Sequence, residues 1–140
     1  MIIGWLRRKG HKALKIKSTR KGVQNLDTAL YNGDFLLDNR NRMVEISGID
    51  EFLQKVSIIL SVRKGSFCYD RNFGSELYKL RNYEDHLEDR AKMLAEEALY
   101  DLDYVKVNSV EVEIDSENDE ITLTLHLIID GENYDLEVKV

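Results

Sequence analysis

The residues best suited to chemistry are scattered along this chain. His11, His86 and His126 stand on three separate stretches, and Cys68 is the one cysteine. A site for a soft metal needs several such ligands close together. Each histidine therefore reads as solvated or hydrogen-bonded, and Cys68, which lies in no local nucleophile signature, reads as a small buried side chain. Asp115, Glu117 and Asp119 alternate as calcium ligands do. The sixth position of such a loop, however, is Glu120 where glycine is required, and the twelfth is His126 where glutamate is required. A charged turn is the better reading. No G-x-x-x-x-G-K run is present, and no G-x-G-x-x-G follows an expected strand, so a phosphate has no backbone cradle. With 26 acidic residues a glycosidase-like carboxylate pair is defined by separation in space, not by spacing in sequence. Most of these acids fall in turns or on polar faces, where they need no special role. The sequence thus leads us to expect no catalytic, metal or cofactor-binding residues and no cofactor.

The elements that would position any site follow from hydrophobic periodicity. Residues 34–47 hold two short apolar stretches around Asp38-Asn39-Arg40-Asn41, which predicts a β-hairpin. After Gly48, Phe52, Leu53, Val56, Ile59 and Leu60 recur at helical spacing and predict a helix over residues 49–63. Asp50 and Glu51 suit its positive end, and Lys64-Gly65 its close. An aromatic stretch bracketed by Gly65 and Gly74 predicts an ordered loop with a short helical turn. Leu87, Ala91, Leu94, Ala95, Ala98 and Leu99 then share one face, predicting a second helix from about residue 85 to residue 102.

Three strands complete the chain. Val105, Val107, Val110, Val112 and Ile114 suit the first, with a change of phase between Val107 and Val110; Ile121, Leu123, Leu125, Leu127 and Ile129 alternate strictly; Tyr134, Leu136, Val138 and Val140 form the third. Asp130-Gly131 is a strong hairpin signal. Thr122, Thr124, His126, Asp135, Glu137 and Lys139 fall on the opposite face, so the sheet covers a core on one side. The expected class is α+β: a basic N-terminal arm over residues 1–26, then one domain over residues 27–140 with a hairpin, two helices and a C-terminal three-stranded antiparallel meander.

Charge is distributed unevenly. Residues 1–22 carry eight basic side chains and no acid, whereas the remaining 118 residues hold 12 basic against 26 acidic groups. Such asymmetry implies different partners at the two ends. The arm reads as a solvated tail, as a segment that orders on acidic protein surface through Trp5, Leu6, Leu14 and Ile16, or as a binder of phosphate in nucleic acid or an anionic membrane. No apolar run approaches the roughly 20 residues a membrane-spanning helix needs.

Specific residues in this order resemble the baseplate wedge or sheath-initiator family of contractile phage tails, tailocins and related injection machines. Asp34-Phe35 and Gly48 flank the hairpin, Gln54 stands where that family's first helix has a glutamine, Arg63-Lys64-Gly65 matches its helix end, and Phe73-Gly74-Ser75-x-Leu77 matches its F-G-S-x-L loop. The similarity spans about residues 27–140. Val62 departs from the family's threonine, and Leu102-Asp103-Tyr104 stands in place of its Glu-Pro-Arg turn. The resemblance implies a non-enzymatic structural part, assembled in the bacterial cytoplasm, present in several copies in a symmetric particle. Its implied partners are baseplate wedge and hub proteins, the sheath protein and the tube protein, with neither nucleic acid nor membrane. The edge of the meander, at Tyr134, Leu136, Val138 and Val140, is the expected sheath-binding element, and Trp5, Arg7 and Arg8 are expected to bind a partner from the arm. Some family members carry a lysozyme-like label, which implies a cell-wall-cleaving enzyme as the alternative.

Overall fold

The computed structural model of the protein describes residues 26–31 and 34–140. These residues fall into two compact units divided inside a helix, one ending at Lys55 and the other beginning at Val56.

In the first unit, β1 (Leu26–Thr28), β2 (Leu30–Tyr31), β3 (Asp34–Phe35) and β4 (Glu45–Ser47) precede α1 (Ile49–Ser61). The expected turn is present. The Asp38 carboxylate accepts the backbone N–H groups of Arg40 and Arg42, Asn41 takes a positive φ of 60°, and Leu37 bridges Met43 beyond it. The arms pair with each other next to the turn, Val44 N–H donating to the Leu36 carbonyl and Asp38 N–H to the Arg42 carbonyl, but their outer ends differ from expectation, because β4 pairs with β1 and β3 pairs with β2. Strands of two or three residues are marginal by themselves. Residues 26–31, not foreseen as a strand, pair with both arms and supply the missing backbone partners. Ile46, Ala29, Ile49 and Leu53 are buried in this unit.

Helix α1 starts after Gly48, whose φ of +64° lets the chain turn, and carries Asp50 and Glu51 in its first turn. It ends two residues before the expected Arg63, because the following loop captures its last carbonyls. Val56 and Leu60 continue its buried stripe into the second unit.

That unit contains a 3-10 helix (Leu77–Asn82), the expected helical turn, then α2 (Leu87–Ala98) and three strands: β5 (Val105–Asp115), β6 (Glu120–Ile129) and β7 (Glu132–Lys139). Helix α2 is shorter than expected, since Leu99 to Asp101 form turns. The strands form an antiparallel sheet in the order β5-β6-β7. A bulge between Val107 and Ser109 explains the change of phase, because one extra residue returns Val110 to the apolar face. Asp130 and Gly131 have φ of 50° and 81°, the two positive values that a type I′ hairpin turn requires. Val107, Val110, Leu123, Leu125, Leu127, Leu136 and Val138 are buried on one face, which α2 covers along β5.

Candidate functional site

The motif residues build a latch at the end of α1. A helix leaves its last carbonyls without intrahelical donors. Here Ser75 Oγ donates to the Leu60 carbonyl at 2.5 Å, and its N–H donates to the Val62 carbonyl at 2.8 Å. The Ser75 carbonyl in turn accepts the Lys64 N–H at 2.9 Å, and Arg63 bridges Ser75 in parallel sense. Gly74 makes this approach possible. A Cβ there would lie 2.5 Å from the Val62 oxygen, and its φ is +107°. Gly65, at φ +87°, turns the chain away after Lys64, and Leu77 is fully buried below the loop.

Outside the latch, residues 66–73 carry an exposed aromatic group in which Phe67 meets Tyr69 and Phe73 at centroid distances of 5.7 and 5.6 Å. Cys68 lies in this loop and is exposed, contrary to the buried position expected. Gln54, the remaining motif residue, is buried in the first unit. Its Oε1 accepts the Leu30 N–H at 2.8 Å, while Nε2 donates to the Thr28 carbonyl at 2.9 Å and to Asp27 Oδ2 at 3.3 Å. One side chain thus ties β1 and β2 to α1.

The sheet margin has a definite polarity. Val140 N–H donates to the Ile121 carbonyl, so by antiparallel alternation the backbone groups of Val138, Leu136 and Tyr134 point to β6. Those of Lys139, Glu137, Asp135 and Asn133 point outward. Among the described residues β7 pairs with β6 alone and keeps one register over eight pairs, whereas the other margin, β5, is broken by its bulge. The side chains of Leu136 and Val138 belong to the core, so a partner strand would meet the backbone between them and not those side chains. Trp5, Arg7 and Arg8 lie outside the described residues.

On the polar face, His126 Nδ1 sits 2.6 Å from Asp135 Oδ1 and Nε2 sits 3.3 Å from Glu111 Oε1, joining all three strands. The Asp135 hydrogen bond raises the imidazole pKa above its ordinary 6.5, against an opposing effect of partial burial, and Glu111 adds to the rise. This is the satisfied histidine the sequence implied. Asp115 likewise closes a charged turn, accepting the N–H groups of Glu117 and Asn118. A cleft of about 190 Å³ lies beside the latch, lined by Lys64, Ser75, Glu97 and Asp101 among others, with Lys64 Nζ 3.2 Å from Glu97 Oε1. Small-molecule sites begin near about 300 Å³.

A one-sided sheet with an unbroken margin, next to a loop whose Gly74 and Ser75 serve the backbone, defines a small α+β structural module. The family of contractile injection system sheath initiators matches residues 25–130, and the chain belongs to that family. It is a structural baseplate component of a contractile injection system. Strand β7 lies beyond the matched residues. A crystal structure from Geobacter sulfurreducens, provisionally named a tail lysozyme, shares the fold over 71% of this chain and 95% of its own, with a TM-score of 0.54 and 15% identity. No curated protein matches the chain in sequence.

Proposed function

We propose that this chain nucleates the sheath by lending the outer margin of β7 to a strand of the first sheath subunits, while it is held on baseplate wedge and hub proteins beside the tube. The observation that carries this reading is the row of outward backbone groups at Asn133, Asp135, Glu137 and Lys139, in a strand with no register fault. Such a row is a template for strand addition, in which main-chain hydrogen bonds supply affinity. Exposed Glu132 and the flanking Glu137 favour a basic incoming strand and discourage indiscriminate pairing.

In this reading the chain performs no catalysis. Membership of the sheath-initiator family supports this reading. Assembly takes place in the bacterial cytoplasm with several copies per particle. No helix among the described residues is long and apolar enough to cross a membrane.

The test is Glu137→Pro. It removes one outward donor and leaves the β6 ladder intact, since proline is tolerated where its nitrogen faces away from the partner strand. Baseplates carrying this variant should assemble but recruit no sheath in electron micrographs, and normal sheaths would refute the proposal.

A further inference from the structure

The exposed face of α2 and the turn that follows it carry two large apolar side chains in an acidic setting. Met93, on the side of the helix opposite the fully buried Ala91 and Ala95, is 69% exposed, and Tyr100, in the turn after the helix, is 83% exposed. At about 100° per residue, Asp89 and Glu96 fall on one flank of Met93 and Glu97, which is ion-paired with Lys64, on the other, all exposed. Over residues 84–103 the acids are Glu84, Asp85, Glu88, Asp89, Glu96, Glu97, Asp101 and Asp103, against Arg90 and Lys92. Residues 1–22 have the complementary make-up: eight basic residues, no acid, and Trp5, Leu6, Leu14 and Ile16 spaced among the charges.

We infer that residues 1–22 of a second copy of this chain dock on the outer face of α2 and the turn after it, covering Met93 and Tyr100 with apolar anchors and meeting Asp89 and Glu96 with Arg7, Arg8 and their neighbours. A chain that is basic at one end and acidic on a surface further along can give a segment to one neighbour and receive one from another. That is a head-to-tail contact, the kind that closes into rings. Opposite charge supplies approach and orientation, and burial of the two apolar side chains supplies the rest. The contact does not depend on the β7 margin.

A synthetic peptide of residues 1–22, titrated into the isotopically labelled full-length chain and followed by NMR, tests this. The amides of Asp89, Met93, Glu96, Glu97 and Tyr100 should shift with saturation. Affinity should fall at least tenfold between low and high salt, as for partly exposed charge contacts. A peptide with serine at positions 5, 6, 14 and 16 keeps all eight charges and should bind at least tenfold more weakly. Met93→Ser with Tyr100→Ser should abolish the shifts while the rest of the spectrum stays unchanged. Absence of shifts on α2, including the case in which each copy's own segment already occupies the face, would overturn the inference. Equal binding of the serine peptide would also overturn it, by reducing the contact to charge alone.

Discussion

Gly74 and Gln54 illustrate what single residues do here. A methyl group at Gly74 meets the Val62 oxygen in a backbone region that L-residues avoid. Gly74→Ala should therefore lower stability by about 3 kcal/mol in denaturant unfolding. Gly65 has open space around it, and Gly65→Ala should cost only about 1 kcal/mol, from its positive φ alone. Gln54→Glu keeps the acceptor for Leu30 but sets a carboxylate oxygen against the Thr28 carbonyl and Asp27. It should destabilise by about 2 kcal/mol at neutral pH, with partial recovery near pH 4 as the new carboxyl group regains a proton. His126 gives a pH dependence of known sign. Because its folded pKa lies above 6.5, its ion pairs with Asp135 and Glu111 contribute fully below about pH 6.5 and are lost as pH rises through the raised value. The melting-temperature advantage of the wild type over His126→Gln should accordingly shrink as the pH is raised above about 6.5. The motif positions were legible in sequence, but the partners were not. Nothing local to Ser75 announces the Leu60 carbonyl fifteen residues earlier, and Cys68 was misplaced because a small side chain carries no signal of whether a loop is covered.

Elements were legible where their period was long. The alternation of β6 and the Asp130-Gly131 turn placed β6, β7 and the hairpin between them, and the apolar stripes placed α1 and α2. The bulge between Val107 and Ser109 appeared in sequence only as a break of phase, since two-residue periodicity marks a fault without showing how the chain absorbs it. Residues 26–31 escaped because strands of two or three residues contain too few side chains to display a period. The sheet margin could be inferred, yet its polarity could not, as the sequence suggested the apolar residues Leu136 and Val138 where the outward backbone belongs to their neighbours. This gives an element-level prediction. Glu137→Pro should lower the melting temperature by only a few degrees, whereas Val138→Pro, which removes a donor to β6, should leave little folded protein in a thermal scan.

At the scale of the whole molecule, the chain combines a basic N-terminal segment, a latch that fixes the end of α1, and a one-sided sheet whose last strand has its outer backbone turned away from β6. Family membership accounts for the structural role of the chain in a contractile injection system, and the margin of β7 is the feature through which we propose that sheath subunits are gathered. Hydrogen exchange on the chain alone and within a baseplate bearing its first ring of sheath tests this most directly. Free, the amides of Leu136 and Val138 should exchange slowly and those of Asp135, Glu137 and Lys139 rapidly. On sheath binding the latter three should slow by about a hundredfold or more, an opening cost of about 3 kcal/mol. If they exchange at the same rate in the assembled particle as in the free chain, the sheath is not held by this strand.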